Sequence, residues 1–526
     1  MSEREAKAAR VDDLKDGEMR QVSVDGTQIL LVRIAGSFHA IGAYCTHYGA
    51  PLVEGALCGR KVICPWHHAC FDVTTGDLEE PPALDALPHY QTRIEDGHVI
   101  VSLPDQPSDR RAPKMSTRSV EDARTFVILG GGAAGYMAAQ TLREDGFEGR
   151  ILLFSGDDQT PYDRPNLSKD YLQGSLGADA LPLRSEEFFR EYGIELELRR
   201  SAVRVEADEK TVRFDDGTSL RYDALLVATG GEPRKLSLPG AELKSVFTLR
   251  HRRDADLIIE ALAEAHRAVI IGASFIGMEA APSLARRGLE VTVVGRDSIP
   301  FERTLGSEIG SLFRKAHEEQ GVRFRLGKNV ARLQGSGRVE AVLLEDGESL
   351  PADLVIVGIG VEPRTDFVHG VRRADDGGII VDRRLRAAED LYVAGDIASF
   401  PDPRTGERLR IEHWRTAMQQ GRTAAHNMAG REESYAGIPF FWTQQFDLVL
   451  GYVGHAQSWD ELILQGEIEG RDFLAFYVRG ERVLAVAGMM RDRELAVVEE
   501  LMRLDRLPAA EELRRRRIDL AEMLPK

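Results

Sequence analysis

Apolar and polar positions alternate in short bursts through the first hundred residues, and Gly36, Gly55, Gly76 and Gly97 break the bursts apart. A period of two between turn residues predicts strands, with Thr27–Ile34 and His98–Leu103 the clearest, and so a small all-β domain over residues 1–105. The alternation then stops. Residues 106–123 are polar and aperiodic, flanked or interrupted by Pro104, Pro107 and Pro113, and read as a linker between independent domains. From residue 124 the pattern becomes apolar runs followed by helical periodicity. Val127–Leu129 leads into a helix over Tyr136–Arg143, Arg150–Phe154 forms the next strand, and Val269–Ile271 opens a second such unit. Strands alternating with helices predict an α/β fold on parallel sheets. Apolar strands ending at Val227, Val357 and Val393 return the chain, and a smaller α/β piece begins near Tyr435. The domain boundaries expected for this part are 124–246, 247–365, 366–434 and 435–526.

Both strand-to-helix junctions are rich in glycine. In Gly130-Gly131-Gly132-Ala133-Ala134-Gly135, Gly130 permits the tight turn and Gly132 lets backbone N–H groups approach a pyrophosphate. Gly135 lets helix and strand pack closely, and the helix N-terminus supplies partial positive charge. Asp157 follows at the interval where a carboxylate takes ribose hydroxyls. Gly272-Ala273-Ser274-Phe275-Ile276-Gly277 repeats the arrangement with Ser274 in place of the middle glycine. After the next strand, Val291–Val294, Gly295 stands where NAD-binding chains carry a carboxylate, and Arg296 and Asp297 follow. A missing carboxylate beside a cation leans toward a 2′-phosphate, yet Asp297 remains able to reach the hydroxyls, so NADH and NADPH both stay open.

Composition narrows the picture. The chain has 526 residues and a net charge of −17, which disfavours nucleic acid as a partner. The basic run Arg514–Arg517 reads as a solvated helix face. No stretch approaches a membrane span and the first residues lack the apolar core of a signal peptide, so a cytoplasmic protein, monomer or homodimer, is expected.

All four cysteines, Cys45, Cys58, Cys64 and Cys70, fall in the first 70 residues. So local a cluster suggests a metal rather than a disulfide framework, and residues 71–526 hold no cysteine for a redox disulfide. Cys45-Thr46-His47 and Cys64-Pro65-Trp66-His67 resemble the Rieske [2Fe–2S] motif, in which two thiolates hold one iron and two imidazoles the other. Zinc is the alternative, although the C-x-H half is unlike a structural zinc knuckle. The ligands implied are Cys45, His47, Cys64 and His67. His68, where the family usually has glycine, is a departure and also a rival to its neighbour. High-potential Rieske proteins carry a disulfide flanking their ligands. Ala50 and Trp66 stand where it would need sulfur, so Cys58 and Cys70 are expected as buried thiols.

Pro161-Tyr162-Asp163-Arg164-Pro165-Asn166-Leu167-Ser168-Lys169 is similar to a segment of FAD-dependent ferredoxin reductases and of apoptosis-inducing-factor-like proteins. The resemblance places Arg164 and Lys169 at the flavin, where positive charge favours the reduced ring. It extends to Ala228-Thr229-Gly230, to the return strand with Gly360, and to Gly395-Asp396, whose carboxylate would bind the ribityl chain. Glu279 would sit near the nicotinamide and Trp442 near the flavin. Their plainer readings are a first-turn helix glutamate and a core aromatic. A Rieske domain joined to this reductase is the arrangement of Rieske-containing apoptosis-inducing-factor-like proteins. Those belong to the pyridine nucleotide-disulfide oxidoreductase superfamily, here without the redox disulfide. The resemblance implies an all-β Rieske domain followed by a glutathione-reductase-like two-dinucleotide flavoprotein with a C-terminal α/β domain. It implies FAD, a [2Fe–2S] cluster and NADH or NADPH as cofactors, and electron flow to a terminal oxygenase, a ferredoxin or a haem protein. A slow-turnover redox sensor is the competing reading.

Overall fold

The computed structural model describes residues 3–515 and 518–525. Arg516 and Arg517, half of the basic run, lie outside them. Arg514 pairs with Glu461 at 2.7 Å and Glu481 at 3.1 Å, and Arg515 with Glu511 at 2.5 Å.

The N-terminal lobe is built from three antiparallel sheets. Thr27–Ile34 is a strand as expected, between Met19–Val24 and Ser37–Gly42, and its central residues Ile29–Val32 are fully buried. A second sheet of Ala56–Cys58, Lys61–Ile63, Cys70–Asp72 and Leu78–Glu80 carries the Cys64 loop at one end. His98–Pro104 closes the lobe between Glu3–Arg10 and Thr92–Glu95. The polar segment that follows forms no helix or strand, yet it is not a free arm. Arg111 exchanges backbone hydrogen bonds with Ala86 and pairs with Asp77 at 2.6 Å, and the Ser116 N–H donates to the Arg143 carbonyl. The expectation of independent domains needs correction, because polar groups along this segment find partners on both lobes.

The first parallel sheet orders its strands Ile194–Glu197, Arg150–Phe154, Thr125–Leu129, Ala224–Val227 and Leu391–Val393, with Arg386–Ala388 antiparallel at the edge. Its first helix runs Ala133–Glu144, beginning three residues before the expected Tyr136 because Gly132 is already the N-cap. A second parallel sheet, from Val246–Thr248 through Leu354–Val357, Arg267–Ile271 and Glu290–Gly295 to Arg323–Leu326, repeats the plan with the helix Phe275–Arg286. Helix Trp414–Met428 crosses the first one where Gly421 meets Ala134: a Cβ at Gly421 would lie 2.1 Å from the Ala134 carbonyl oxygen. The C-terminal lobe is a five-stranded antiparallel sheet starting with Phe440–Gln445, backed by helix Asp492–Arg503. No helix among the described residues is long and apolar enough to cross a membrane.

Candidate redox site

Two loops with the same hydrogen-bond pattern hold the sulfur and imidazole donors. The Cys45 N–H donates to Ala50 and the Gly49 N–H returns to Cys45; the Cys64 N–H donates to Ala69 and the His68 N–H returns to Cys64. Each loop thereby turns its cysteine and its histidine to the same side. The thiols of Cys45 and Cys64 hydrogen-bond to each other; backbone N–H groups of His47 and Tyr48 point at the first sulfur, and those of Trp66 and His67 at the second. The Nδ1 atoms of His47 and His67 face each other at 3.1 Å. Burial holds the His47 imidazole down to about 4 and His67 well below its usual value, so both are neutral bases, the form that ligates iron. Among the described residues no three His, Cys, Asp or Glu side chains gather as a single-ion site. Donors arranged as one sulfur pair and one nitrogen pair fit two irons, one pair each, and the donor chemistry fits a Rieske cluster. His68 turns away from this centre.

Behind the loops lies a cleft of about 770 Å³. It is lined by Gly130, Gly132 and Ala134 of the first glycine turn, Asp157, Arg164, Lys169, and the turn Ala228-Thr229-Gly230. Ser274, Glu279, Gly360, Gly395, Asp396 and Trp442 complete the expected set on its wall. Gly135, Gly272 and Gly277 lie behind the wall and shape it instead. A Cβ at Gly135 would come within 1.9 Å of the Gly130 carbonyl, and one at Gly277 within 2.1 Å of the Gly272 carbonyl. A Cβ at Gly132 would meet no protein atom within 4 Å. That open space explains why Ser274 is tolerated at the matching place in the second turn, where its hydroxyl donates to the Gly358 carbonyl at 3.3 Å.

The cleft is charged in opposed pairs. Lys169 is not a free cation: its ammonium lies 2.6 Å from Glu279, which also accepts from Ser168 at 2.6 Å and from Thr443 at 2.8 Å. Glu279 is thus a carboxylate whose two oxygens both accept from protein donors, as burial demands. Asp396 pairs with Arg250 at 2.6 Å. Burial pushes the Asp157 carboxyl up, but hydrogen bonds from His251 and Tyr162 overcome it and bring it to about 2. It is ionised across the working pH range and able to accept from hydroxyls. His413 reaches the wall with a buried Nδ1 that has no protein partner, and burial lowers it to about 3. An open glycine turn at a helix N-terminus, an ionised carboxylate one strand away and an orphaned imidazole nitrogen fit a bound dinucleotide such as FAD.

Arg296 stands exposed beyond the second turn and does not line the cleft. Gly295 has no room for a side chain: a Cβ would lie 2.8 Å from that of Ala273 and 3.1 Å from Leu326.

The two centres meet at a pair of aromatic contacts. The rings of His67 and Trp442 are 4.2 Å apart between centroids. Tyr48, stacked on His47 at 3.9 Å, hydrogen-bonds to Asp163 and accepts from Asn166 at 2.8 Å. Sequence reasoning missed Arg250, His251 and Tyr48, because nothing local announces a partner far along the chain. The Pro161–Lys169 segment was read only for its flavin-side residues, and Asp163 and Asn166 within it reach the other way.

Fold and site together define a two-dinucleotide flavoprotein oxidoreductase with an iron–sulfur lobe docked on its flavin cleft. The chain belongs to the pyridine nucleotide-disulphide oxidoreductase family, whose model matches residues 124–421. A Rieske [2Fe–2S] domain matches residues 5–91 and a reductase C-terminal domain residues 440–524. Apoptosis-inducing factor 3 of Homo sapiens is 38% identical, over 98% of this chain and 86% of that protein. Rhodocoxin reductase of Rhodococcus erythropolis is 34% identical over 72% of this chain and 89% of its own length. Among solved structures, the ferredoxin reductase for the CYP199A2 system of Rhodopseudomonas palustris superposes with a TM-score of 0.72 at 32% identity. It covers 76% of this chain and 99% of that one. The putidaredoxin reductase–putidaredoxin complex gives the same score and identity, covering 76% and 98%. The protein is an NAD(P)H-dependent flavoprotein oxidoreductase that uses FAD and a Rieske cluster.

Proposed function

We propose that the chain relays electrons from NAD(P)H through FAD to its own Rieske cluster and on to a separate acceptor, a terminal oxygenase, a ferredoxin or a haem protein. The observation that carries this is the contact of the His67 and Trp442 rings at 4.2 Å, since Trp442 also lines the flavin cleft. When bound, FAD exchanges an electron pair with a nicotinamide and single electrons with an iron–sulfur cluster. The protein's part is placement. Gly130 makes the tight turn, Gly132 and the helix N-terminus it caps offer backbone N–H groups to a pyrophosphate, and Asp157 takes ribose hydroxyls. The Lys169–Glu279 pair fixes charge at the cleft wall, and Cys45, Cys64, His47 and His67 hold the irons. A cytoplasmic setting, where NAD(P)H is supplied, fits this reading.

We read the second nucleotide site as leaning to NADPH: Gly295 cannot be replaced by a carboxylate without a clash, Arg296 is free on the surface, and Asp297 is paired with Arg303 at 2.8 Å. An anaerobic titration with NADH and separately with NADPH, followed by absorbance and low-temperature EPR, tests donor and relay together. Flavin bleaching followed by a Rieske signal, at lower NADPH than NADH, is the expected result. Bleaching that leaves the cluster oxidised would defeat the relay. The similarity to apoptosis-inducing factor 3 over 98% of this chain supports a second reading, a slow-turnover redox sensor; near-zero turnover with tight NAD(P)H binding would favour it.

A further expectation concerns potential. Cys58 and Cys70 are free buried thiols, the first hydrogen-bonded to Glu500 at 3.4 Å, so no disulfide stiffens the cluster loops. Redox potentiometry is expected to place the cluster toward the lower end of the roughly −150 to +300 mV Rieske range; a value near the top would contradict this.

A further inference from the structure

The two cluster loops share one backbone pattern, so their corresponding residues are comparable. The residue whose N–H returns to the cysteine carbonyl is Gly49 in the first loop, at φ +77°, and His68 in the second, at φ +59°. The left-handed region suits glycine and costs free energy for a side chain. A histidine kept there is held by something else.

Its imidazole is 1% exposed and stacks on Phe440 of the C-terminal sheet, ring centroids 3.9 Å apart. Its Nδ1 meets one carboxylate oxygen of Glu499, on the C-terminal helix. The other oxygen of Glu499 accepts from Arg415 at 2.6 Å, and Arg415 lies on the helix that crosses the first dinucleotide fold. Arg415 then donates to the His68 carbonyl at 2.9 Å and to the Pro81 carbonyl at 3.0 Å, both in the N-terminal lobe. The circuit closes on itself. It joins three lobes through charged groups that are nearly water-free, where hydrogen bonds are strongest and an unmade one is most costly. Other polar contacts between the lobes, such as Arg184 with Asp85 at 2.6 Å and Gln419 with Glu80 at 2.9 Å, lie on later segments of the N-terminal lobe. Two adjoin an iron ligand: Tyr48 beside His47, which hydrogen-bonds to Asp163, and His68 beside His67, the ligand whose ring meets Trp442.

We propose that His68 is a positioning residue: with Glu499 and Arg415 it latches the Rieske lobe onto the flavoprotein and fixes the orientation of His67 against Trp442. The transfer part of this inference rests on the relay proposed above; the docking part does not. His68→Gly is the sharpest variant, because glycine keeps the left-handed turn and leaves the Arg415–Glu499 pair intact while removing the imidazole. In the full-length protein, proteolysis within residues 105–124 should become several-fold faster. Flavin reduction by NAD(P)H should be unchanged, and cluster reduction should slow by about tenfold or more through misplacement alone. The cluster potential should not move. Glu499→Gln, remote in sequence from the ligands, should act in the same direction and decides the matter should His68→Gly not fold.

Wild-type proteolysis and wild-type cluster reduction in both variants would overturn the latch. So would a shifted potential with docking unchanged, which would make His68 a tuning group. If the parent protein bleaches its flavin without reducing its cluster, the relay fails, and the proteolysis comparison still judges the latch.

Discussion

In Cys64→Ser protein, NAD(P)H still bleaches the flavin, the Rieske EPR signal is absent, and reduction of a one-electron protein acceptor is abolished. Cys64 is 2% exposed and shares a hydrogen bond with Cys45, while two backbone N–H groups are aimed at its sulfur. A thiolate is a soft ligand that iron–sulfur chemistry requires, and a serine oxygen in the same place is not. The flavin half is insulated from the change. Its cleft contains no cysteine, and the contacts that join the lobes at the cluster, His67 with Trp442, Tyr48 with Asp163 and His68 with Glu499, come from side chains the substitution leaves in place. Ferricyanide, small enough to reach a reduced flavin directly, should therefore still be reduced. Acceptor protein reduced at the parental rate would mean that electrons leave from the flavin and the cluster is off the route.

How much of this was legible beforehand depends on how far apart the cooperating residues lie. The cluster loops were legible because each cysteine and its histidine sit within one turn, and the geometry of a hairpin loop forces them to one side. The glycine turns were legible because a tight strand-to-helix junction leaves a local signature. Glu279 and Lys169 were each singled out in the sequence, but their mutual pairing was not, since 110 residues separate them. The latch was hidden in the same way. His68 read only as an odd residue where glycine is usual, and the reason for it sits on Glu499, 431 positions later. Burial creates that pairing: an isolated charge or imidazole inside the protein must find a partner, and which one depends on tertiary packing that no local pattern encodes. The linker was misjudged for a related reason. Polar, proline-rich composition describes how such a segment behaves alone, and here Arg111 and Ser116 bind it down on either side.

The two inner glycines of the first turn should fail in different ways when substituted, and the contrast tests whether the cleft holds a dinucleotide as argued. At Gly135 an added Cβ lands 1.9 Å from the Gly130 carbonyl oxygen, which is backbone and cannot step aside. Gly135→Ala must push the first helix off its strand, an overpacking cost of about 1–3 kcal/mol or more. That loss is present whether or not flavin is bound, so the apoprotein's melting temperature falls. At Gly132 the same Cβ meets nothing within 4 Å of protein, and φ is −84°, a value any residue adopts. Gly132→Val therefore costs the apoprotein no more than the roughly 1 kcal/mol of a poorer helix N-cap. If the empty space is where a pyrophosphate approaches the helix N-terminus, the valine side chain occupies it, and FAD affinity drops by about tenfold for each 1.4 kcal/mol of lost contact. Thermal melts of both apoproteins, with flavin titrations of each, separate the two effects. Equal FAD affinity in Gly132→Val and parent protein would show that the phosphates lie elsewhere. A Gly132→Val apoprotein destabilised beyond that cap loss would show that the turn is packed more tightly than its open geometry indicates. The second turn supplies a natural control, since Ser274 already occupies the equivalent space. Ser274→Gly should leave folding intact, and any effect it has should fall on NAD(P)H affinity alone.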